Sequence, residues 1–367
     1  MNNTKKILLF RIGQLGDSIV ALPAMWAVRK HFPDADITLL SDRHAGKAYV
    51  TAEDLFQKSG LINNFILYKA NIEGTRVANL ITLLPILWRS RFDLLVYLSP
   101  RIRTKSQIWR DLLFFRIAGI KKVIGHHGIE PLPPIKGGIA LPCLEHEADH
   151  LLTRLSKGGI SVPKAGTGCM DLNISTEEKR KAKKFINDQT NTDNLEFVVC
   201  FGPGSNWPSK IWPKERYAEV GRYLIDHFRV SPLIIGGPED KVVGDWLIEK
   251  WGKGVNAAGL LTIRDAAAVL ADSHLYIGND TGTMHLAAAV RTPCVAIIAA
   301  QDYPGRWYPY GNKNIVLRKT VPCEGCMMRK CPNGSIDCLM EISVDDVLSA
   351  CRSLLFEDKY KLQGRNL

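Results

Sequence analysis

Short apolar runs alternate with helix-length amphipathic stretches along almost the whole chain. Runs at 7–11, 37–40, 65–68, 94–98 and 123–125 have the length of buried strands. Helical periodicity at 18–32, 75–90 and 104–118 separates several of them. A connector rich in Gly, Lys and Pro follows at 157–167, and a helix at 175–187 opens on Ser175 and Glu178, spaced as a capping box. Beyond it the alternation is cleaner, with strands at 197–201, 233–235, 274–277 and 295–299 and helices near 213–228, 239–251, 262–272 and 281–290. Pro213 suits a first helical turn, and Thr262 with Asp265 approximates a second capping box. This alternation is the signature of βαβ units on parallel sheets. It predicts an α/β protein with two Rossmann-like domains, 1–170 and 171–355, and a tail at 356–367.

Composition agrees. A length of 367 residues fits two domains, and 46% hydrophobic with 23% charged residues excludes a disordered or fibrous chain. No apolar run approaches the roughly 18 residues of a membrane span. The first six residues lead into a strand-like run without the apolar core or cleavage site of a signal peptide. A soluble cytoplasmic protein is expected.

Charge adds an asymmetry. The formal net charge is +11, and residues 1–170 hold 23 Lys and Arg against 13 Asp and Glu, while the remainder holds 25 against 24. Density peaks at 89–122, with nine basic residues and two acidic ones. The first half is expected to meet an anionic partner, whether nucleic acid, an acidic membrane surface or a phosphorylated or carboxylated substrate. A solubilising face is the plainer reading.

Ligands of doubly wound sheets bind beyond the carboxyl ends of the strands, so the loops there are the candidate sites. After the first strand, Gly13-Gln14-Leu15-Gly16-Asp17 offers a tight turn and, at Asp17, a carboxylate placed to take a proton from a hydroxyl. Asp17 could equally be a helix N-cap, and a helix start would lower its pKa. Gly202–Lys210 has the small residues and terminal Lys210 of a phosphate cradle without being a Walker motif. At Gly236-Gly237-Pro238-Glu239, Glu239 could accept from ribose hydroxyls. At Gly278–His285, Asp280, Thr281, Gly282 and His285 enter a helix whose N–H groups could hold a diphosphate, while Asp280 could be a plain cap and His285 a satisfied core histidine.

Two metal patterns stand out. His146-Glu147-Ala148-Asp149-His150 matches H-E-x-x-H, but no third ligand follows at a matching spacing, and a solvated helix opening with Leu151, Leu152 and Leu155 inward is the simpler reading. Of nine cysteines, Cys323, Cys326, Cys331 and Cys338 cluster, and four thiolates could close a structural zinc site or remain reduced thiols packed on the domain.

Taken together these segments resemble glycosyltransferase family 9, the lipopolysaccharide heptosyltransferases. The resemblance rests on Ile7–Ser18 with Ala21-Leu22-Pro23-Ala24, on Phe201–Ser205 with Lys210-Ile211-Trp212-Pro213, on Gly278–Ala289, and on the Cys-rich segment ending Cys338-Leu339-Met340-Glu341-Ile342. It implies a GT-B fold, two Rossmann-like domains facing a central cleft. It implies inverting transfer of heptose from ADP-heptose to a hydroxyl of the lipopolysaccharide inner core, with no cofactor required for catalysis. Asp17 would be the base. Ser205, Lys210, Glu239, Asp280, Thr281, Gly282 and His285 would hold the donor. Arg101, Arg103 and Lys105 of the basic stretch are the acceptor candidates, since the acceptor carries carboxylates and phosphates. Peripheral contact with the inner membrane is implied, and nucleic acid is not. Phe201-Gly202-Pro203-Gly204 replaces the family's frequent His-Pro-Gly. Transfer of another nucleotide sugar, or nucleotide-sugar binding without catalysis, therefore stays open.

Overall fold

The computed structural model describes residues 4–44, 50–70, 75–135, 140–189, 197–332 and 334–363. The chain divides into two compact units, Met1–Pro134 with Glu145–Asn173, and Ile135–Leu144 with Ile174–Leu367.

The first unit contains β1 (Lys6–Phe10), α1 (Leu15–Val20), α2 (Leu22–His31), β2 (Asp36–His44), α3 (Ala52–Phe56), β3 (Asn64–Ala70), α4 (Thr75–Ser90), β4 (Leu94–Tyr97), α5 (Lys105–Ile117), β5 (Lys122–Ile124) and α6 (Glu147–Lys157). Its strands lie in the order β3-β2-β1-β4-β5, all parallel. The central strands read as unbroken apolar runs because both sheet faces are covered. On one face Leu8, Phe10, Leu95 and Tyr97 pack with Leu83 and Leu87 of α4 and Phe115 of α5. The single helix expected at 18–32 is two, meeting at Ala21. Pro23 falls in the first turn of α2, where a missing N–H costs nothing.

The second unit contains α7 (Thr176–Gln189), β6 (Phe197–Gly202), α8 (Lys214–Phe228), β7 (Val230–Ile234), α9 (Lys241–Trp251), β8 (Val255–Asn256), α10 (Ile263–Ala271), β9 (Leu275–Asn279), α11 (Gly282–Ala289), β10 (Cys294–Ile297), β11 (Ile315–Leu317), α12 (Asp337–Met340) and α13 (Val344–Gln363). Its sheet runs β11-β10-β9-β6-β7-β8, again all parallel. The edge strands β8 and β11, two and three residues long, are too short to show a period. Both expected caps form. Ser175 N donates to Glu178 Oε2 (2.8 Å), and Asp265 N donates to Thr262 Oγ1 (3.2 Å). Arg264 forks onto both oxygens of Glu178 at 2.6 and 3.0 Å, tying α10 to α7. The tail expected from 356 is helical to Gln363, and 364–367 lie outside the described residues.

Strand order reverses at β1 in one sheet and at the β6–β9 pair in the other. Each reversal opens a crevice at the carboxyl ends of the strands, where neighbouring connections leave in opposite directions. The candidate loops sit there.

Candidate active site

In the first unit the chain leaves β1 through Arg11, which is fully buried and spends its guanidinium on fixing the loop. Its Nη1 donates to Leu98 O (2.8 Å), its Nε to Asp17 O (2.9 Å), and its Nη2 approaches Asp17 Oδ1 at 3.3 Å. Asp17 is not an N-cap but the third helical residue of a capping box, its Oδ2 accepting from Gln14 N (2.9 Å). Gly13 makes this possible. Its φ of +126° is open to glycine, and a Cβ there would collide with the Asp17 carboxyl. Asp42 accepts from Gly13 N (2.9 Å) and holds the turn from the β2 side. A quarter of the Asp17 side chain remains exposed.

The Asp17 pKa is raised, against the expectation that a helix start would lower it. Burial is the largest cause and outweighs the Arg11 charge and the Gln14 N–H, while Glu147 and Asp42 push further upward. A helix of six residues offers only a weak dipole to oppose this.

The H-E-x-x-H segment is the second correction. The opening of α6 is not solvated, since Glu147, Ala148, Asp149 and His150 are all buried. His146 Nδ1 accepts from Ala148 N (3.0 Å), so His146 is a helix cap. Glu147 lies 3.3 Å from Arg101 Nε and accepts from Arg101 N (3.3 Å). Burial, reinforced by Arg101, lowers the His150 pKa to about 4, so its imidazole is neutral. One helical turn on, Arg154 donates to Gly125 O, Ser99 O and Tyr97 O, each at 2.7 Å. It pins the ends of β4 and β5. The segment is a buried charged lattice beneath the Asp17 crevice, not a metal centre.

Of the acceptor candidates, Arg101 is buried against Glu147, with its Nη2 making no hydrogen bond. Arg103 is held by Asp111 (2.7 Å), and Lys105 is exposed at the start of α5.

In the second unit, loops after β6, β7 and β9 converge on one another. Asn279, fully buried at the end of β9, donates to Pro203 O (2.8 Å) and accepts from Trp212 N (3.1 Å) and the Tyr217 hydroxyl (3.0 Å). Lys210 Nζ donates to Asp280 Oδ2 (2.6 Å) and lies 5.4 Å from the centroid of the Trp207 ring. His285 Nε2 is 3.8 Å from the other Asp280 oxygen. With the Gln301 amide oriented so that both its ends are satisfied, its oxygen also accepts from Lys210 (3.3 Å). The N-cap of α11 is Thr281, not Asp280, and no side chain caps this helix. The Thr281 hydroxyl instead pairs with that of Thr283 (2.8 Å), which pairs with Tyr276 (2.7 Å). The Thr281 side chain thus leaves the first N–H groups, beginning at Gly282, without a capping hydrogen bond. Ser205 Oγ accepts from Trp207 N (3.1 Å) and shapes the loop, and Glu239 is exposed on the turn Pro238–Asp240.

Sequence reasoning missed Asp240, Asn279 and Gln301. Asp240 accepts from Gly237 N (2.9 Å) and reaches so close to Gly204 and Gly236 that a Cβ at either would collide with its carboxyl. Burial raises its pKa to about 6, against the pull of the Gly237 N–H. The sequence holds the signal only as Gly204 and Gly236, both ahead of Asp240 and one of them 36 residues away, and only folding shows which acid they make room for.

The four clustered cysteines differ in burial. Cys323 and Cys326 are exposed, Cys331 and Cys338 half-buried, and among the described residues no group of three or more His, Cys, Asp or Glu is arranged to hold a metal ion. The thiols lie near enough for Cys326 and Cys331 to raise the Cys323 pKa behind the larger effect of burial. Also among the described residues, no helix is long and apolar enough to cross a membrane.

Residues 155–337 match the model of the family described as glycosyltransferase family 9 (heptosyltransferase), a stretch containing all the second-unit loops above. The chain is 26% identical over 185 residues to lipopolysaccharide heptosyltransferase 2 of Escherichia coli K12, covering 48% of this chain and 52% of that protein. The same enzyme of Salmonella typhimurium is 28% identical over 169 residues, 44% and 47%. These matches span about half the length of the curated relatives. Lipooligosaccharide heptosyltransferase 2 of Campylobacter jejuni aligns almost end to end, 22% identical over 95% of this chain and 98% of its own. Among solved structures, a family 9 glycosyl transferase from Veillonella parvula superposes with a TM-score of 0.75 at 23% identity, covering 96% and 98% of the two chains. Escherichia coli ADP-heptose lps heptosyltransferase II gives 0.68 at 21%, covering 96% and 99%. These likenesses establish the fold, two parallel-stranded sheets with helices, α/β, that match GT-B-like heptosyltransferase structures. The chain belongs to glycosyltransferase family 9.

Proposed function

We propose that this protein is an inverting glycosyltransferase that moves heptose from ADP-heptose to a hydroxyl of an anionic lipopolysaccharide-core acceptor. The observation that carries the reading is the placement of two complementary sites at the switch points of two sheets. A partly exposed, proton-seeking carboxylate follows β1, and a cation beside an uncapped helix start follows β6 and β9.

Inversion needs a base that takes the proton of the attacking hydroxyl as the bond to the leaving diphosphate breaks. Asp17 is that base. Burial raises its affinity for the proton, and Arg11 with Gln14 N fixes its direction. The diphosphate gains charge as it leaves. Lys210, steadied by Asp280, and the N–H groups of Gly282 and its neighbours receive that charge. This set of donors is enough that the reaction proceeds without a metal ion. Glu239 meets the nucleoside, and Lys105, exposed at the start of α5, meets acceptor anions. The acceptor is lipid-anchored, so the enzyme works in peripheral contact with the inner-membrane surface.

The test is ADP release by the purified full chain from ADP-heptose, with a Kdo-bearing lipid A acceptor and excess EDTA. Acceptor-dependent release supports the reading. Binding of ADP without turnover would falsify it and leave a nucleotide-sugar-binding protein or a transferase for another sugar.

A further inference from the structure

The helices α4 and α5 cover one face of the first sheet, yet each carries a second apolar stripe pointing the other way. On α4 the inward residues are Leu83 and Leu87, while Ile81 and Trp88, two turns apart on the other side, are exposed by 67% and 66%. On α5 Phe115 faces the core, while Trp109, Leu113 and Ile117 are exposed at one-turn spacing, Trp109 by 68%. Ile102, just before α5, is 65% exposed. The stripes adjoin, because a Cβ placed on Gly119 at the end of α5 would lie 3.7 Å from Trp88. Beside them is a groove of about 340 Å³ lined by Trp109, Leu112, Leu113 and Ile120, with Arg116 and Lys121 at its edge.

Large apolar side chains rarely gather on a surface without a partner, and the charge around these states which partner. Arg89, Arg91, Lys105, Arg110, Arg116, Lys121 and Lys122 are exposed around the stripes. The two acidic residues of the same stretch are already engaged. Asp93 accepts from Lys5 N and Lys6 N (2.8 and 2.9 Å), and Asp111 is held by Arg103 and Arg110 (2.7 and 3.0 Å). Two tryptophans among aliphatic residues, ringed by Lys and Arg without a free counter-charge among the described residues of 89–122, have the composition of a surface that lies in a lipid headgroup layer. A ring of one sign is complementary to the uniformly anionic surface of such a bilayer. We propose that the exposed face of α4 and α5 docks on an anionic phospholipid bilayer, Trp88 and Trp109 entering the headgroup region and the basic ring meeting lipid phosphates. This goes beyond the membrane contact of the proposed function by assigning the surface, and it depends on no step of catalysis.

The full chain is mixed with vesicles of phosphatidylcholine alone or with about 30% phosphatidylglycerol and sedimented. Binding is expected only to the anionic vesicles, weakening as salt shortens the Debye length from about 10 Å at 0.1 M. Trp88→Ser with Trp109→Ser should weaken it about tenfold or more. Lys121→Gln with Lys122→Gln should weaken it about fivefold per charge. These side chains are exposed, and unchanged ADP binding and thermal unfolding confirm that the variants fold. No vesicle binding by the intact chain overturns the proposal, as does binding that neither pair alters. Self-association that the Trp pair abolishes, without vesicle binding, overturns it in favour of a second copy on this face. Sugar transfer is read separately, so loss of transfer with vesicle binding intact strikes the proposed function alone.

Discussion

The two strand-end sites are built from opposite materials. Beneath the first-unit crevice lie three arginines and one glutamate that are almost entirely buried, Arg11, Arg101, Arg154 and Glu147, and two of the arginines spend themselves on backbone carbonyls of β4, β5 and their loops. The second-unit site relies on glycines, hydroxyls, an amide hub at Asn279 and the ion pair Lys210–Asp280. The contrast follows the two tasks. A base must be partly desolvated to want a proton, and fixed charges around it must hold it still at that cost. A site that receives an anion must keep its donors available, so its loops are held by neutral hydrogen bonds and close backbone approach.

Removing the base tests the first half of this contrast most severely. Asp17→Asn keeps the capping oxygen and the shape, so it should lower kcat about 10²–10⁴-fold while leaving ADP affinity and thermal unfolding near wild type. Near-normal transfer would remove Asp17 from the reaction. Because its pKa is raised, the acid limb of kcat/KM should fall at a pH above the ordinary aspartate value of 3.8 and vanish in the variant.

Next comes the lattice itself. Arg154→Met leaves three buried carbonyls without their donor and Glu147 with one cationic neighbour fewer, which should cost about 3–5 kcal/mol in urea unfolding of the full chain. A change under about 1 kcal/mol would mean that water replaces the guanidinium and that the lattice is not rigid.

The second unit should be sensitive to shape rather than charge. Gly204→Ala drives a methyl into Asp240, with an expected loss of about 1–3 kcal/mol and weaker ADP binding. Asp240→Ala in the same chain should restore part of the stability, since it removes the colliding carboxyl. A double variant no better than the single would place the strain elsewhere.

Much of the fold was legible because each sheet is buried on both sides, so β1, β4, β6 and β9 declare themselves as apolar runs, and the loops after them follow. Helix caps at Ser175 and Thr262 were legible for a similar reason, being interactions three residues long. What escaped was long-range. Glu147 reads as the start of an amphipathic helix until Arg101, 46 residues away, is seen against it. Asp240 is one more polar residue at the start of a helix until Gly204 is brought to it. The direction of the Asp17 shift was misjudged because the local helix start was visible and burial by the rest of the unit was not. Periodicity also hid the outer stripes of α4 and α5, which add apolar residues to helices already counted as packed.

The smallest effect sharpens the comparison inside the second unit, where two carboxylates shift in opposite directions. Hydrogen bonds from Arg264 pull Glu178 down to about 2 from an ordinary 4.5, so unfolded chains bind the extra proton there. Its contribution to stability is full above about 4.5 and is lost as pH falls toward 2. Burial lifts Asp240 from 3.8 to about 6, so between these values the folded chain binds the extra proton, and stability falls as pH rises through the window. Arg264→Met should therefore flatten the acid side of a plot of melting temperature against pH, and Asp240→Asn the side between about 4 and 6. The same ionisation places a second negative charge beside Glu239 in the loops assigned to the donor. ADP affinity measured by calorimetry should fall as pH rises through about 6 more steeply in the wild type than in Asp240→Asn, the variant cancelling the titration of ADP itself. Identical slopes in the two proteins would show that Asp240 shapes the loop without facing the nucleotide.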